Sequence, residues 1–213
     1  MYPLLFEANL CRTVWGGRRI KPMKGMEADD EPVGESWEVS AVPGSESIVA
    51  NGPLKGLTLA QVTAHFGAEV IGHTAMRMYE GHFPLLVKFI DAEQDLSIQV
   101  HPDDAMSMRE HGKLGKTEMW YVIDAAPGAR LYAGFKSRIS QYEYQKRIED
   151  GSICEVLQEH FVNPGDVFFI PAGRVHAICG GVMVAEVQQS SDVTYRIFDY
   201  NRPGLDGKPR ELH

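Results

Sequence analysis

The stretch PGDVFFIPAGRVHAICGG, residues 164 to 181, constrains the fold of this chain more than any other segment. Gly165 and Gly173 permit turns that are closed to bulkier residues, and Pro171 stiffens the connection between them. The apolar runs between the turns have the length of β-strands, so the stretch predicts a hairpin. Its returning strand begins at His176, which takes the first inward-facing position of a small barrel.

Short strands of this kind recur along the chain, separated by turn signals about every eight to twelve residues. They include LLFEA, GESWEVSAV, LLVKFIDA, LSIQVHP, TEMWYVIDA, ARLYAGF, VMVAEVQQSS and VTYRIFDY. Only three brief helices are indicated, beginning at Thr58, Asp103 and Ser140. We therefore expect an all-β protein, a jelly-roll barrel or sandwich with a few short peripheral helices, and not a parallel α/β fold.

Composition limits the partners of such a domain. The formal net charge of -8 disfavours binding to nucleic acid or to an anionic membrane surface, and no apolar run approaches the length of a membrane helix. The three cysteines, Cys11, Cys154 and Cys179, form no CxxC pair, which together with the N-terminal sequence indicates a reducing cytoplasm. A small-molecule partner remains, and no feature predicts an oligomeric state.

A set of metal-binding side chains can be assembled around His176. Gln99 and His101 are two residues apart and so share one face of a strand, and Glu118 opens the strand TEMWYV. Two imidazoles, one carboxylate and one amide oxygen suit a divalent ion of the zinc type, with positions left for substrate. Alternatively, His176 is a core histidine whose ring nitrogens are hydrogen-bonded within the protein.

The spacing Gly-x5-Pro-x-Gly-x2-His, from Gly165 to His176, resembles the second signature of the cupin superfamily. In addition, LSIQVHPDD, GKTEMWYV, IPAGRVHAI and SSDVTYRIFDYNR occur in the order that resembles the catalytic domain of type I mannose-6-phosphate isomerases. TVWGGRR, GESWEVSA and PLLVKFIDA are similar to the bacterial branch of that family. The resemblance implies one divalent metal ion per chain, Zn2+ in the first instance, held by Gln99, His101, Glu118 and His176.

The resemblance also implies an activity, the interconversion of mannose 6-phosphate and fructose 6-phosphate through a cis-enediol or enediolate intermediate. Lys116, Glu186 and Arg196 match catalytic positions of the family, and the proton carrier is left open between Lys116 and Glu186. Ser97 and Lys88 match positions associated with the phosphate of the substrate.

Each of these residues has a purely structural alternative. Lys116 and Lys88 could be solvated charges at strand edges, and Ser97 a turn hydroxyl. Arg196 could form a structural ion pair with Asp199. At the level of the whole protein, an Fe(II) cupin oxygenase and a non-catalytic sugar-phosphate-binding cupin stay open, although the ordered motifs favour the isomerase.

The predicted organisation is a single cupin catalytic domain over residues 1–213, with an N-terminal β and loop extension and a helical insertion around 58–72. Members of the family commonly continue beyond DGKPRELH into a further β region, so we expect either a short form or a fragment. Asp103 and Asp104 are interpreted as helix-capping carboxylates. The remaining histidines are interpreted as structural or solvated: His65, His73, His82, His111, His160 and His213.

Overall fold

Two antiparallel β-sheets make up the computed structural model, which describes residues 2–213. The six-stranded sheet has the order β1 (Leu10–Cys11), β2 (Glu35–Val39), β3 (Leu85–Asp91), β10 (Val182–Gln189), β5 (Glu118–Ala125) and β8 (Val167–Ile170). The five-stranded sheet has the order β11 (Tyr195–Phe198), β4 (Ile98–Val100), β9 (His176–Ile178), β6 (Arg130–Phe135) and β7 (Leu157–Phe161).

The main hydrophobic core lies between the two sheets. Ile90, Val122 and Val184 come from the six-stranded sheet, and Leu131 and Ile178 come from the five-stranded sheet, all of them buried in one cluster. Consecutive strands are not always neighbours, because β10 lies between β3 and β5 while β9 lies between β4 and β6. This architecture confirms the predicted jelly roll.

Within residues 2–213, five α-helices lie outside the sheets: α1 (Ile20–Met23), α2 (Leu59–Phe66), α3 (Ala68–Met78), α4 (Asp104–His111) and α5 (Gln141–Glu149). The predicted N-caps are present, since the side chains of Thr58, Asp103 and Ser140 accept hydrogen bonds from the first helical turns. No helix among residues 2–213 is long and apolar enough to cross a membrane.

The helical insertion differs from the prediction that placed it around 58–72. It consists of two helices that are separated at Gly67 and extend to Met78. Gly72 interrupts the helical backbone within α3, with a φ of 79° that a residue with a side chain would rarely adopt, and the helix resumes and runs to Met78. The predicted strand LLFEA does not form. Only one isolated bridge, between Phe6 and Val49, occurs there, and the rest of the segment is irregular.

The stretch 164–181 forms two strands as predicted, but they do not pair as a hairpin. β8 pairs with β5 in one sheet, while β9 pairs with β4 and β6 in the other. Between them the chain turns, with the Arg174 N–H donating to Pro171 O, and crosses from sheet to sheet. Gly165 and Gly173 adopt the expected positive φ values of 96° and 81°. The crossing delivers His176 to the space between the sheets.

Candidate metal centre

Three buried side chains with metal-binding atoms meet between the sheets. His101 follows the end of β4, His176 begins β9, and Glu118 begins β5 in the opposite sheet. One donor atom from each lies within 4.8 Å of the other two. None of the three is more than 1% exposed. Residues 75 positions apart in the sequence are thus brought to one point by the two sheets.

The distances from Glu118 to the two imidazoles match those between neighbouring ligands of a tetrahedrally coordinated zinc ion. Glu118 Oε1 lies 3.3 Å from His101 Nε2, and Glu118 Oε2 lies 3.4 Å from His176 Nε2. Ligands about 2.0–2.1 Å from a zinc ion at tetrahedral angles are separated from one another by about 3.3–3.4 Å. Each imidazole therefore has one Glu118 oxygen at the separation expected between two ligands of one small cation.

Both imidazoles are oriented so that Nε2 faces the cluster. His176 Nδ1 donates to Arg174 O over 2.8 Å, and His101 Nδ1 donates to Val193 O over 3.1 Å. A hydrogen bond of this kind fixes the tautomer and leaves Nε2 unprotonated, with a lone pair directed at the cluster. Burial lowers the pKa of His176, and burial followed by the charge of Lys116 lowers that of His101 to about 3. Both rings are neutral near pH 7, as metal ligands must be.

Glu118 supplies the negative charge of the cluster. Burial opposes its ionisation, but Lys116 and His101 lower its pKa well below the usual value. Its Oε2 is buried without a hydrogen-bond partner among residues 2–213. Because a buried carboxylate oxygen rarely stays unpaired, this atom indicates a missing cation. The residues present therefore fit a divalent ion.

Gln99 completes the predicted set of four. It lies directly opposite His176 in the pairing of β4 with β9, and its amide is 3.3 Å from His176 Nε2. A half-turn of the amide would present Oε1 to the same point. The structure therefore brings Gln99, His101, Glu118 and His176 together.

Lys116 lies at the cluster and not at a solvated strand edge. It is 5% exposed, forms an ion pair with Glu118, and donates to His101 Nε2 over 3.1 Å. The contact places a positive charge between the metal-binding atoms and the neighbouring cavity.

A cavity of about 360 Å³ opens beside the cluster. Every predicted catalytic and substrate-binding residue lines it, namely Lys88, Ser97, Lys116, Glu186 and Arg196, and so does Gln99. Ser97 and Arg196 belong to the wall formed by the five-stranded sheet, whereas Lys88 and Glu186 belong to the opposite wall. The two residues predicted to bind phosphate thus lie on opposite sides.

Lys88 is held by two carboxylates. Its Nζ is 3.4 Å from Glu35 and 3.6 Å from Glu186, and it lies over the ring of Trp37. Burial alone would lower its pKa, but Glu35 and Glu186 raise it. Lys88 is therefore a buried, fully paired cation and not a solvated one.

Glu186 is a buried carboxyl group with a raised pKa. Its Oε2 accepts a hydrogen bond of 2.8 Å from Trp120 Nε1, while Oε1 is buried without a hydrogen-bond partner within residues 2–213. Burial, and then repulsion from Glu118, raises its pKa to about 7. The Trp120 ring also packs edge-on against His176, so one indole orients both the carboxylate and a metal-binding imidazole.

Arg196 does not pair with Asp199, which was the structural alternative for it. Asp199 is bound by Arg202 and Arg210 instead. Arg196 Nη1 donates to Glu211 O, and its Nε is buried without a partner in the described part of the chain. Arg196 therefore lines the cavity without an ion pair to Asp199 and with its Nε donor unpaired among residues 2–213.

Several cavity residues were not predicted from the sequence. Glu35 could have been found, since alternation places it on the same face as Trp37. Arg210 lies in the irregular segment GKPRELH, where no periodic pattern operates. His213, interpreted as a solvated residue, accepts a hydrogen bond from the Arg196 N–H and lines the cavity. Cys179, by contrast, is packed in the second hydrophobic cluster.

A jelly roll with a buried His-Glu-His cluster and an adjoining cavity is a cupin-type fold with a candidate metal site. Residues 5–122 match the family described as phosphomannose isomerase type I, catalytic domain. The chain therefore belongs to the type I phosphomannose isomerase family.

Proteins of known identity resemble the chain over its whole length. The mannose-6-phosphate isomerase of Streptococcus mutans is 40% identical over 99% of this chain and 65% of its own length. The crystal structure of the mannose 6-phosphate isomerase from Bacillus subtilis matches with a TM-score of 0.88 at 38% identity, over 100% of this chain and 66% of that chain. A zinc-bound mannose 6-phosphate isomerase shares the fold at 17% identity, with a TM-score of 0.71 over 98% of this chain and 71% of its own.

The chain spans about two thirds of the length of the curated relatives it matches, 65% to 66% in each case.

Proposed function

We propose that this chain forms the catalytic domain of a metal-dependent aldose-ketose isomerase that interconverts mannose 6-phosphate and fructose 6-phosphate. The observation that carries the proposal is the buried His101, Glu118 and His176 cluster beside a cavity lined by Glu186 and Arg196. The relatives named as mannose-6-phosphate isomerases support the choice of substrate.

Gln99, His101, Glu118 and His176 would hold the ion, and zinc is the proposed metal because two imidazole nitrogens, one carboxylate and one amide oxygen suit it. The zinc-bound structure of the distant relative supports the same choice. A divalent ion there would act as a Lewis acid toward the oxygens on C1 and C2 of the sugar.

The reaction moves a proton between C1 and C2, and Glu186 is the proposed carrier. A base is most effective when its pKa lies near the working pH, which is the range to which burial brings Glu186. Its Oε1 accepts no hydrogen bond, although Lys88 Nζ lies 3.6 Å away, and it can take the proton from one carbon and return it to the other while Trp120 holds Oε2. Of the two candidates from the sequence, Glu186 is favoured because Lys116 is engaged by Glu118.

Arg196 and Lys116 provide fixed positive charge. Negative charge develops on the substrate oxygens as the proton leaves carbon, and donors placed beforehand lower the barrier. Arg196 lies opposite Gln99 in the pairing of β11 with β4, so it is next to the metal end of the cavity. Lys116 contacts two of the proposed ligands directly.

We also propose a cytoplasmic location, supported by the free state of Cys11, Cys154 and Cys179. The single-domain organisation over residues 1–213 stays a prediction.

The experiment is a coupled assay for fructose 6-phosphate formation from mannose 6-phosphate with the purified 213-residue chain. Chelation should abolish turnover, and addition of zinc, manganese or cobalt should restore it. Metal binding without turnover under all three additions would contradict the isomerase proposal and favour a non-catalytic sugar-phosphate-binding protein. Oxygen consumption after loading with Fe(II) would instead favour the oxygenase.

A further inference from the structure

We propose that the phosphate of the substrate binds at the wall formed by the five-stranded sheet, between Arg210 and Ser97, and that Lys88 is not a phosphate ligand. The inference rests on the proposed function, because it assigns the far end of the same site. Arg210 has no role in the sequence patterns, and its position in the cavity is evident only in the folded chain.

The wall that carries Arg210 has an excess of positive charge. Arg210 donates to both oxygens of Asp199 over 2.6 Å, and Arg202 binds the same carboxylate over 2.8 Å. Arg196 is close enough that Arg210 lowers its pKa, after burial as the larger cause. Two guanidinium groups therefore share one buried carboxylate, and the Arg196 guanidinium lies near them without an ion pair to it. An incoming dianion would relieve their mutual repulsion.

The opposite wall has the reverse balance. Lys88 and Lys116 there face three carboxylates, Glu35, Glu118 and Glu186. Lys88 already contacts two of the three, so a phosphate bound to it would lie against both. The remaining acidic group of the cavity, Asp192, is neutralised by Lys113 at 2.7 Å. The charge distribution therefore directs a phosphate to the arginine side.

Strand register places Arg210 at the correct end of a six-carbon substrate. In the pairing of β11 with β4, Arg196 is opposite Gln99 and Phe198 is opposite Ile98. Ser97 and Asp199 are the next residues along the two chains, and Asp199 holds Arg210. Two residues of extended strand span roughly 7 Å, about the length of an extended six-carbon chain. With C1 and C2 beside Gln99, the phosphate on C6 reaches Ser97 and Arg210.

Titration with inorganic phosphate tests this assignment without requiring turnover. The metal-loaded chain, Arg210→Gln, Arg210→Lys and Lys88→Gln are compared by calorimetry, and the inhibition constant of phosphate is measured in the isomerase assay. Arg210→Gln should weaken phosphate binding roughly 10- to 100-fold, the usual loss for a charge-assisted hydrogen bond. Its KM for mannose 6-phosphate should rise by a similar factor, with a much smaller change in kcat.

The matched control is Arg130→Gln. It also removes an arginine from an ion pair, with Glu159 at 3.1 Å, but on a strand position that does not line the cavity. It should bind phosphate as the parent does, which separates a local effect from the loss of one positive charge. Arg210→Lys keeps the charge and should lose only part of the affinity. If a thermal melt shows that Arg210→Gln is not folded, Arg210→Lys replaces it, and a severalfold loss of phosphate affinity in that variant supports the assignment.

Parent-like phosphate affinity in Arg210→Gln, or a loss confined to Lys88→Gln, would overturn the assignment. So would a parent chain that binds no phosphate at millimolar concentration. A parent chain that binds phosphate through Arg210 but shows no isomerase activity would leave the anion site standing and remove the proposed function.

Discussion

His101 and His176 each commit one ring nitrogen to a backbone carbonyl, and this commitment determines what the other nitrogen can do. Each Nε2 is left as a lone pair at the point where Glu118 presents its two oxygens. Burial keeps the rings neutral, while Lys116 keeps the carboxylate ionised. The protonation states that a metal requires are therefore already present in the folded chain.

At this scale, His176→Ala and Arg196→Ala should separate metal binding from turnover. His176→Ala removes a proposed ligand and should weaken zinc binding by more than the roughly 10- to 100-fold typical of losing an outer partner of a ligand. Arg196→Ala should keep the metal but lower turnover by about 100- to 1000-fold. Metal content by mass spectrometry and the coupled assay check both. Equal zinc occupancy in His176→Ala and the parent would contradict the ligand assignment.

Glu186 should make both activity and stability depend on pH. Its pKa of about 7 in the folded protein is above the ordinary value of 4.5. Ionisation of Glu186 therefore destabilises the folded protein, whereas the protonated form carries no such cost. The cost is absent below about pH 4.5 and grows as the pH rises to about 7. Glu186→Gln should therefore gain stability over the parent across this interval, as measured by urea unfolding at several pH values.

The titration of Glu186 should also appear in the pH dependence of the isomerase reaction. Since a base must be ionised to accept a proton, kcat/KM of the parent should rise with pH up to about 7, and Glu186→Gln should lose this limb together with most of the activity. A stability difference that does not change between pH 4.5 and 7, or an active Glu186→Gln, would show that another group carries the proton.

At the level of secondary structure, the turn between β8 and β9 positions the site. Gly173, with φ of 81°, donates its N–H to His101 O over 2.8 Å, three residues before His176. The crossing from one sheet to the other thus holds both imidazoles in relation to each other. The cupin-like spacing in the sequence exists because this turn needs glycine.

Gly173→Ala should consequently reduce metal affinity as well as stability. An L residue at positive φ costs about 1–2 kcal/mol, which we expect as a loss in the free energy of unfolding. Gly128→Ala is the matched control, because Gly128 has φ of 77° and, like Gly173, open space around the position of a Cβ. It lies in the turn between β5 and β6. Zinc titrations should show weaker binding in Gly173→Ala only; the same zinc affinity in both variants would contradict the positioning role.

Element by element, the sequence predicts strands and helix caps well but not how strands pair. Thr58, Asp103 and Ser140 are local signals, and the structure confirms them. The prediction of a hairpin over 164–181 was wrong. β8 pairs with β5 and β9 pairs with β4, and these pairings depend on residues distant in the sequence. Similarly, the helical residues between Gly72 and Met78 lie beyond the predicted insertion, which ended at Gly72.

At the scale of the whole molecule, the four proposed metal ligands were predictable and the cavity was not. Gln99, His101, Glu118 and His176 occur in motifs whose residue types and spacing carry the chemistry. Arg210 reaches the cavity only through the packing of an irregular segment, whereas Glu35 follows the alternation of β2 that also places Trp37 there. The charge balance of the two walls depends on partners such as Asp199, which no local pattern reveals.

The proposed ligands come from both sheets, so metal binding should stabilise the entire fold. A ligand at about 100 times its dissociation constant adds about 2.7 kcal/mol to the free energy of unfolding. For a chain of this size that corresponds to a rise in Tm of roughly 5–10 °C. Thermal melts of the chelated chain with and without zinc should show this rise, and His176→Ala should not. A rise of the same size in His176→Ala would place the ion elsewhere.

The location of the ion is the most direct test of the account. A crystal of the zinc-loaded chain, measured on both sides of the zinc absorption edge, should give one anomalous peak between the sheets. We predict that the peak lies about 2.0–2.2 Å from His101 Nε2, His176 Nε2 and a Glu118 oxygen, with Gln99 Oε1 turned toward it. A fully occupied peak at any other place, or no peak at stoichiometric zinc, would contradict the metal centre and the isomerase proposal that depends on it.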